Sequence, residues 1–108
     1  MKKKEKYLIV FTTVPNKKTA NAIIKKILPT KLVSCINVIG KVESFYWWKN
    51  KICNANELLL IMKTPHHNFK KLEKCIKEIH PYEVPEIISI NIANGSKDYL
   101  DWIREYTL

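Results

Sequence analysis

The stretch that most constrains this chain is Leu32 to Thr64, LVSCINVIGKVESFYWWKNKICNANELLLIMKT. Its first arm, Val33 to Trp48, is dense in β-branched and aromatic residues, which suit a pleated, half-buried surface. A polar turn follows around Lys49, Asn50 and Lys51. The second arm ends in Glu57-Leu58-Leu59-Leu60-Ile61-Met62-Lys63. Both arms are long against the usual strand of about 5–6 residues. Gly40 inside the first arm marks a bulge or bend. The expectation is a bent hairpin whose far end reaches beyond the body of the domain. Leu58 to Met62 is apolar at every position, and alternate side chains point to opposite faces, so both faces of this strand call for burial.

The rest of the chain alternates its periodicity around that hairpin. Tyr7 to Val14 reads as the first strand. Asn16 is an N-cap candidate, and Ala20, Ile23, Ile24, Ile27 and Leu28 follow at helical spacing. Pro29 disfavours helical geometry at Leu28 and ends that helix. Thr64-Pro65 reads as the cap of a second helix, with Phe69, Leu72, Cys75, Ile76 and Ile79 as its apolar stripe. His80-Pro81-Tyr82-Glu83-Val84-Pro85 is a rigid connector, and Glu86 to Ala93 a fourth strand. Ser96 caps a last helix with Tyr99, Trp102, Ile103 and Tyr106 on one face. The order is β-α-β-β-α-β plus a C-terminal helix, which is the α+β, ferredoxin-like pattern with one antiparallel sheet. Residues 1–6 form a basic tail and 7–108 a single domain.

Composition narrows the function. No apolar run approaches the ~20 residues of a membrane span. Three scattered cysteines, Cys35, Cys53 and Cys75, form no disulfide framework, and reduced thiols together with the lack of a signal-peptide pattern give a cytoplasmic expectation. The net charge is +9, but the basic residues are 18 Lys and one Arg beside 15 Ile and 9 Asn. Those three abundant residues share A/T-rich codons, and a nucleic-acid surface also uses Arg, so no nucleic-acid partner is expected. An RNA-recognition module on this fold needs Gly and stacking aromatics on a central strand, and Leu58–Met62 has neither. The two glycines, Gly40 and Gly95, leave no phosphate-cradling or dinucleotide loop, and there is no GxSxG or HExxH. A non-enzymatic protein is expected. His66 and His67 are adjacent and do not share a helix face as a chelating i, i+4 pair would.

Several segments together carry a resemblance. Leu32-Val33-Ser34-Cys35-Ile36-Asn37, Ser44-Phe45-Tyr46-Trp47-Trp48, Glu57 to Thr64, His80-Pro81-Tyr82-Glu83-Val84-Pro85-Glu86-Ile87 and Tyr99-Leu100-Asp101-Trp102-Ile103 stand in the order found in the CutA family. The chain resembles those small proteins linked to divalent-metal tolerance. The resemblance implies a homotrimer similar in architecture to PII signalling proteins, and copper binding in bacterial members. In animals, relatives are associated with anchoring of acetylcholinesterase. The bacterial copper site uses a Cys at the end of the first strand and two consecutive His before the Pro. Here those positions hold Thr12, Ile79 and His80, so only His80 is retained. One imidazole without a thiolate is a poor copper(I) site. The expectation is therefore weak copper binding through His80, with Cys35 as the next metal candidate. Trp48, Lys63, His80, Tyr82 and Glu86 are the candidate ligand pocket. The alternative function is PII-like small-molecule sensing or partner docking.

Overall fold

A computed structural model describes residues 5–108, so of the basic tail only Glu5 and Lys6 fall within the described residues. Four strands, β1 (Tyr7–Val14), β2 (Cys35–Trp48), β3 (Lys51–Pro65) and β4 (Ile88–Asn91), form one sheet in the order β2-β3-β1-β4. Every neighbouring pair is antiparallel. Three helices, α1 (Lys17–Ile27), α2 (Phe69–Ile79) and α3 (Lys97–Glu105), complete the chain. The ferredoxin-like βαββαβ order with an added C-terminal helix is thus the observed fold.

The strand periodicity decides where the core sits. Leu8, Val10, Thr12 and Val14 are buried along β1, and Leu60, Met62 and Thr64 along β3. Their partners across the sheet are in register, with Val10 opposite Met62 and Thr12 opposite Leu60. This face packs on Ala20, Ile23 and Ile27 of α1 and on Leu72 and Ile76 of α2. α1 forms because Asn16 Oδ1 accepts the Thr19 amide at 2.8 Å, relieving one of the unpaired amides of the first turn. It ends in a short 3-10 turn, Leu28–Thr30, which carries Pro29.

The opposite face carries Ile9 and Phe11 of β1, Leu59 and Ile61 of β3, Ile39 of β2, and Ile88 and Ile90 of β4, in matching register. α1 and α2 do not cover it, and Ile39, Ile88 and Ile90 are all exposed. α3 packs against β3 at one end only, with Ile103 fully buried.

The hairpin is bent where Gly40 stands. Ile39 faces Leu59 but Val42 faces Glu57, so one extra residue sits in β2. A Cβ on Gly40 would lie 2.9 Å from Leu58 Cδ2, so any side chain there would require Leu58 to shift. The turn is Lys49-Asn50, both with positive φ (51° and 63°), the pattern of a two-residue type I′ hairpin that matches strand twist. The result is an elongated chain of 51 × 25 × 23 Å.

Three local expectations are corrected. Thr64 does not cap α2: it is a buried strand residue whose hydroxyl donates to Leu32 O at 2.6 Å, and a 3-10 turn, His66–Asn68, precedes the helix. β4 is shorter than Glu86–Ala93, because the connector's prolines hold the chain off the β1 ladder until Ile88. On α3, Ile103 is buried while Tyr99, Trp102 and Tyr106 form a separate exposed stripe, since helical positions 99, 102 and 106 stack over one another.

Candidate functional site

The connector after α2 builds the most structured polar cluster of the helix-free face. α2 ends at Ile79, and His80 leaves the helix with extended backbone, its amide still bonded to Ile76 O at 2.9 Å. The His80 ring turns under the sheet edge and is only 8% exposed. Its Nδ1 accepts the Tyr82 amide at 3.2 Å, so Nε2 must carry the hydrogen that it donates to Thr13 O at 2.8 Å. This fixes the neutral Nε2–H tautomer. Burial pushes the His80 pKa below its ordinary value, against smaller opposing effects of the Thr13 carbonyl and Glu57. Pro81 then directs Tyr82 back across the His80 ring, the two ring centres 4.9 Å apart. The Tyr82 hydroxyl donates to Glu57 Oε2 at 2.6 Å, a short charge-assisted bond. Burial first, and then Glu57, push the Tyr82 phenol well above its ordinary value.

Glu57 is the member that sequence reasoning left out of the site. It is a buried carboxylate, 8% exposed. Its signal was its position: one acid opening an otherwise apolar strand, at the parity of Leu59 and Ile61 on the helix-free face.

The five candidate pocket residues do not converge within one chain. His80 and Tyr82 meet, as described. Glu86 is exposed and makes no hydrogen bond or ion pair among the described residues. Lys63 lies six positions along β3 from Glu57, about 20 Å at ~3.3 Å per residue. There its ammonium donates to Asn37 Oδ1, beside Cys35, whose thiol lies 3.8 Å from the same oxygen. Trp48 pairs with Lys51 at the hairpin tip, on the far side of Glu57. Within a single chain the length of β3 keeps the five apart. A cleft of about 520 Å³ lies elsewhere, between the start of α2 and β4, lined by His66, His67, Lys70, Ser89 and Asn91 among others.

The donors present do not fit a tight copper site within a single chain. Both His80 ring nitrogens are engaged, so ligation would require breaking a bond to Thr13 or Tyr82. Thr12 faces the helices, fully buried, on the other side of the sheet from Glu57. Cys35 belongs to no group of three His, Cys or carboxylate side chains, and no such group occurs among the described residues. His67 is engaged with Leu108 O at 2.8 Å and with Glu5 at 3.5 Å. No described helix is long and apolar enough to cross a membrane.

A ferredoxin-like sheet with helices on one face, an elongated β2–β3 hairpin and a His-Pro-Tyr latch closing on a strand carboxylate defines a small PII-like α+β protein. The chain belongs to the CutA1 divalent ion tolerance protein family, whose model matches residues 8–106. It is 41% identical over 99 residues to the divalent-cation tolerance protein CutA of Thermus thermophilus, covering 92% of this chain and 96% of that one. The solved structure of the Thermus protein superposes with a TM-score of 0.91 at 40% identity, over 94% of this chain and 99% of the other. CutA1 from Oryza sativa superposes with a TM-score of 0.92 at 36% identity, over 95% and 94%. Human protein CutA is 36% identical over 90% of this chain, which spans 54% of the human sequence.

Proposed function

We propose that this protein is a non-enzymatic, cytoplasmic homotrimer acting in divalent-metal tolerance, with the helix-free sheet face as its subunit interface. The metal role comes from the family. The assembly reading is carried by one observation: the face bearing Ile9, Phe11, Ile39, Ile61, Ile88 and Ile90 is apolar, in register across all four strands, and uncovered over most of its length. An antiparallel sheet with a wetted face alternates apolar with polar residues instead. A patch of this kind on an isolated subunit marks an association site. The number three follows the resemblance.

Copper binding in this chain is weak and runs through His80, at the cost of one of its two ring hydrogen bonds. Cys35 is the second candidate. Titration calorimetry with copper(I) and copper(II) tests this: shallow binding that His80→Ala removes supports it, and tight binding that survives His80→Ala places the site elsewhere. A second reading, small-molecule sensing, is favoured by Lys63 and Asn37, a hydrogen-bonded polar pair at the Cys35 end of the helix-free face. Titrating anionic metabolites against wild type and Lys63→Ala separates the two readings.

A further inference from the structure

The positive charge of this chain is not spread over its surface. α1 carries four lysines and no acidic residue, and α2 carries four lysines with Glu73 and Glu78. All eight lysines are exposed. Outside α1 and α2 the described residues hold eight basic side chains, seven Lys and Arg104, and eight acidic ones, which cancel. Among the described residues the whole excess, eight lysines less two glutamates or +6, therefore stands on these two helices. A/T-rich codon usage raises lysine throughout a chain, and does not gather the excess on one layer. The acidic residues avoid the same region: none occurs between Glu5 and Glu43.

Helix packing puts this charge on one side of the molecule. Ala20, Ile23 and Ile27 of α1 and Leu72 and Ile76 of α2 turn to the sheet, so the exposed lysines line the opposite faces. Lys26 and Glu78 join the two helices at 3.3 Å. Glu73 takes Lys77 at 3.4 Å and Lys70 at 3.9 Å. Lys17, Lys18, Lys25, Lys71 and Lys74 have no ion-pair partner among the described residues. The side-chain types on the layer select among polyanions. It has no Arg, since Arg104 lies on α3, and its one aromatic, Phe69, packs against the core. A nucleic-acid surface uses Arg forks on phosphates and aromatic rings on bases. Lysines are point charges on apolar stems, and clusters of about 4–8 of them suit the headgroups of an anionic lipid surface. Leu28, 41% exposed, stands about one turn beyond Lys25 and supplies an apolar side chain at the rim of the layer.

We propose that the outer face of α1 and α2 docks on the surface of an anionic phospholipid bilayer, with the unpaired lysines against the headgroups and Leu28 at their inner boundary. The chain stays peripheral, as no described helix is long and apolar enough to cross the bilayer. The attraction is between exposed charges, so added salt weakens it. The helical layer and the helix-free face lie on opposite sides of the sheet, so lipid docking and the proposed subunit interface do not compete. The cytoplasmic leaflet is the anionic one, which agrees with a cytoplasmic protein.

The test is flotation of the full chain with vesicles of phosphatidylcholine alone, or with about a third phosphatidylserine, at about 0.15 M salt. Wild type is expected to bind the anionic vesicles, with a bound-to-free ratio at least about tenfold above that on neutral ones. A variant carrying Lys18→Glu, Lys25→Glu and Lys74→Glu is expected to lose at least about tenfold in that ratio. A variant with the same charge change in the N-terminal tail, Lys2→Glu, Lys3→Glu and Lys4→Glu, is expected to lose much less. Circular dichroism checks that each variant is folded. If charge reversal unfolds the helices, glutamine at the same three helix positions reads the same loss. Wild type that ignores anionic vesicles, or a folded helix variant that binds them as well as wild type, overturns the proposal. So does a tail variant that loses as much binding as the helix variant. An oligonucleotide that strips the protein from the vesicles at equal phosphate concentration assigns the layer to nucleic acid and overturns it as well.

Discussion

The Tyr82 hydroxyl donates to Glu57 Oε2 at 2.6 Å, tying the connector after α2 to the start of the apolar run of β3, twenty-five residues earlier in the chain. Removing either partner leaves a largely buried polar group unpaired, which costs about 1–3 kcal/mol. Tyr82→Phe is expected to lower stability by about that amount, since the buried Glu57 carboxyl loses its donor. Replacing both together, Tyr82→Phe with Glu57→Leu, is expected to cost less than the two single changes added. Urea unfolding of the four proteins reads the coupling, and strict additivity would mean that the bond carries none.

His80 makes stability fall in mild acid. Its folded pKa lies below the ordinary 6.5 because burial opposes the charged ring. The unfolded chain therefore binds a proton before the folded one does. The stabilisation is fully present above about pH 6.5 and is lost as pH drops from there towards the folded pKa. Denaturant midpoints at pH 7.5 and 5 are expected to differ in wild type and to converge in His80→Gln. An imidazole resonance of His80 titrating at or above 6.5 in the native protein would contradict this.

Thr12 is fully buried against the helices, and its Oγ1 has no hydrogen-bond partner. An unpaired buried hydroxyl costs about 1–3 kcal/mol, and a methyl of the same shape removes that cost. Thr12→Val is expected to stabilise the protein by roughly 1 kcal/mol or more in thermal and chemical unfolding. A destabilised variant would mean that the hydroxyl is satisfied in solution.

Much of this architecture is written in local sequence. Asn16 and Ser96 announce their helices because a cap is a contact within three residues, and Gly40 announces the bulge because a glycine inside a strand run marks a break in its pairing. The two-sided apolar character of β3 was equally plain. Which parity faces the helices was not, because it depends on α1 and α2 packing from far along the chain. Leu60 turns out to be core and Ile61 to lie on the open face. The site was legible only in part for the same reason. His80 and Tyr82 are neighbours in sequence, whereas their anchors, Thr13 and Glu57, come from strands 67 and 25 residues away. Lys63 and Trp48 share a strand pair with Glu57, and the length of that pair, invisible in a motif, keeps them apart.

That difference in parity gives two contrasting substitutions. Leu60→Asp places a charge in the helix-covered core and is expected to prevent folding, because a buried unpaired charge costs far more than the marginal 5–15 kcal/mol of a domain. Ile61→Asp places it on the open face and is expected to dissociate the assembly. Circular dichroism with sedimentation velocity distinguishes them. A variant Ile61→Asp that keeps the wild-type mass would remove this face from the interface.

The most direct measurement is the mass of the wild-type protein in solution. With the helix-free sheet face as the subunit interface, multi-angle light scattering is expected to give three times the 12.7 kDa chain mass, unchanged on tenfold dilution. A folded species of one chain mass that stays in solution would contradict it.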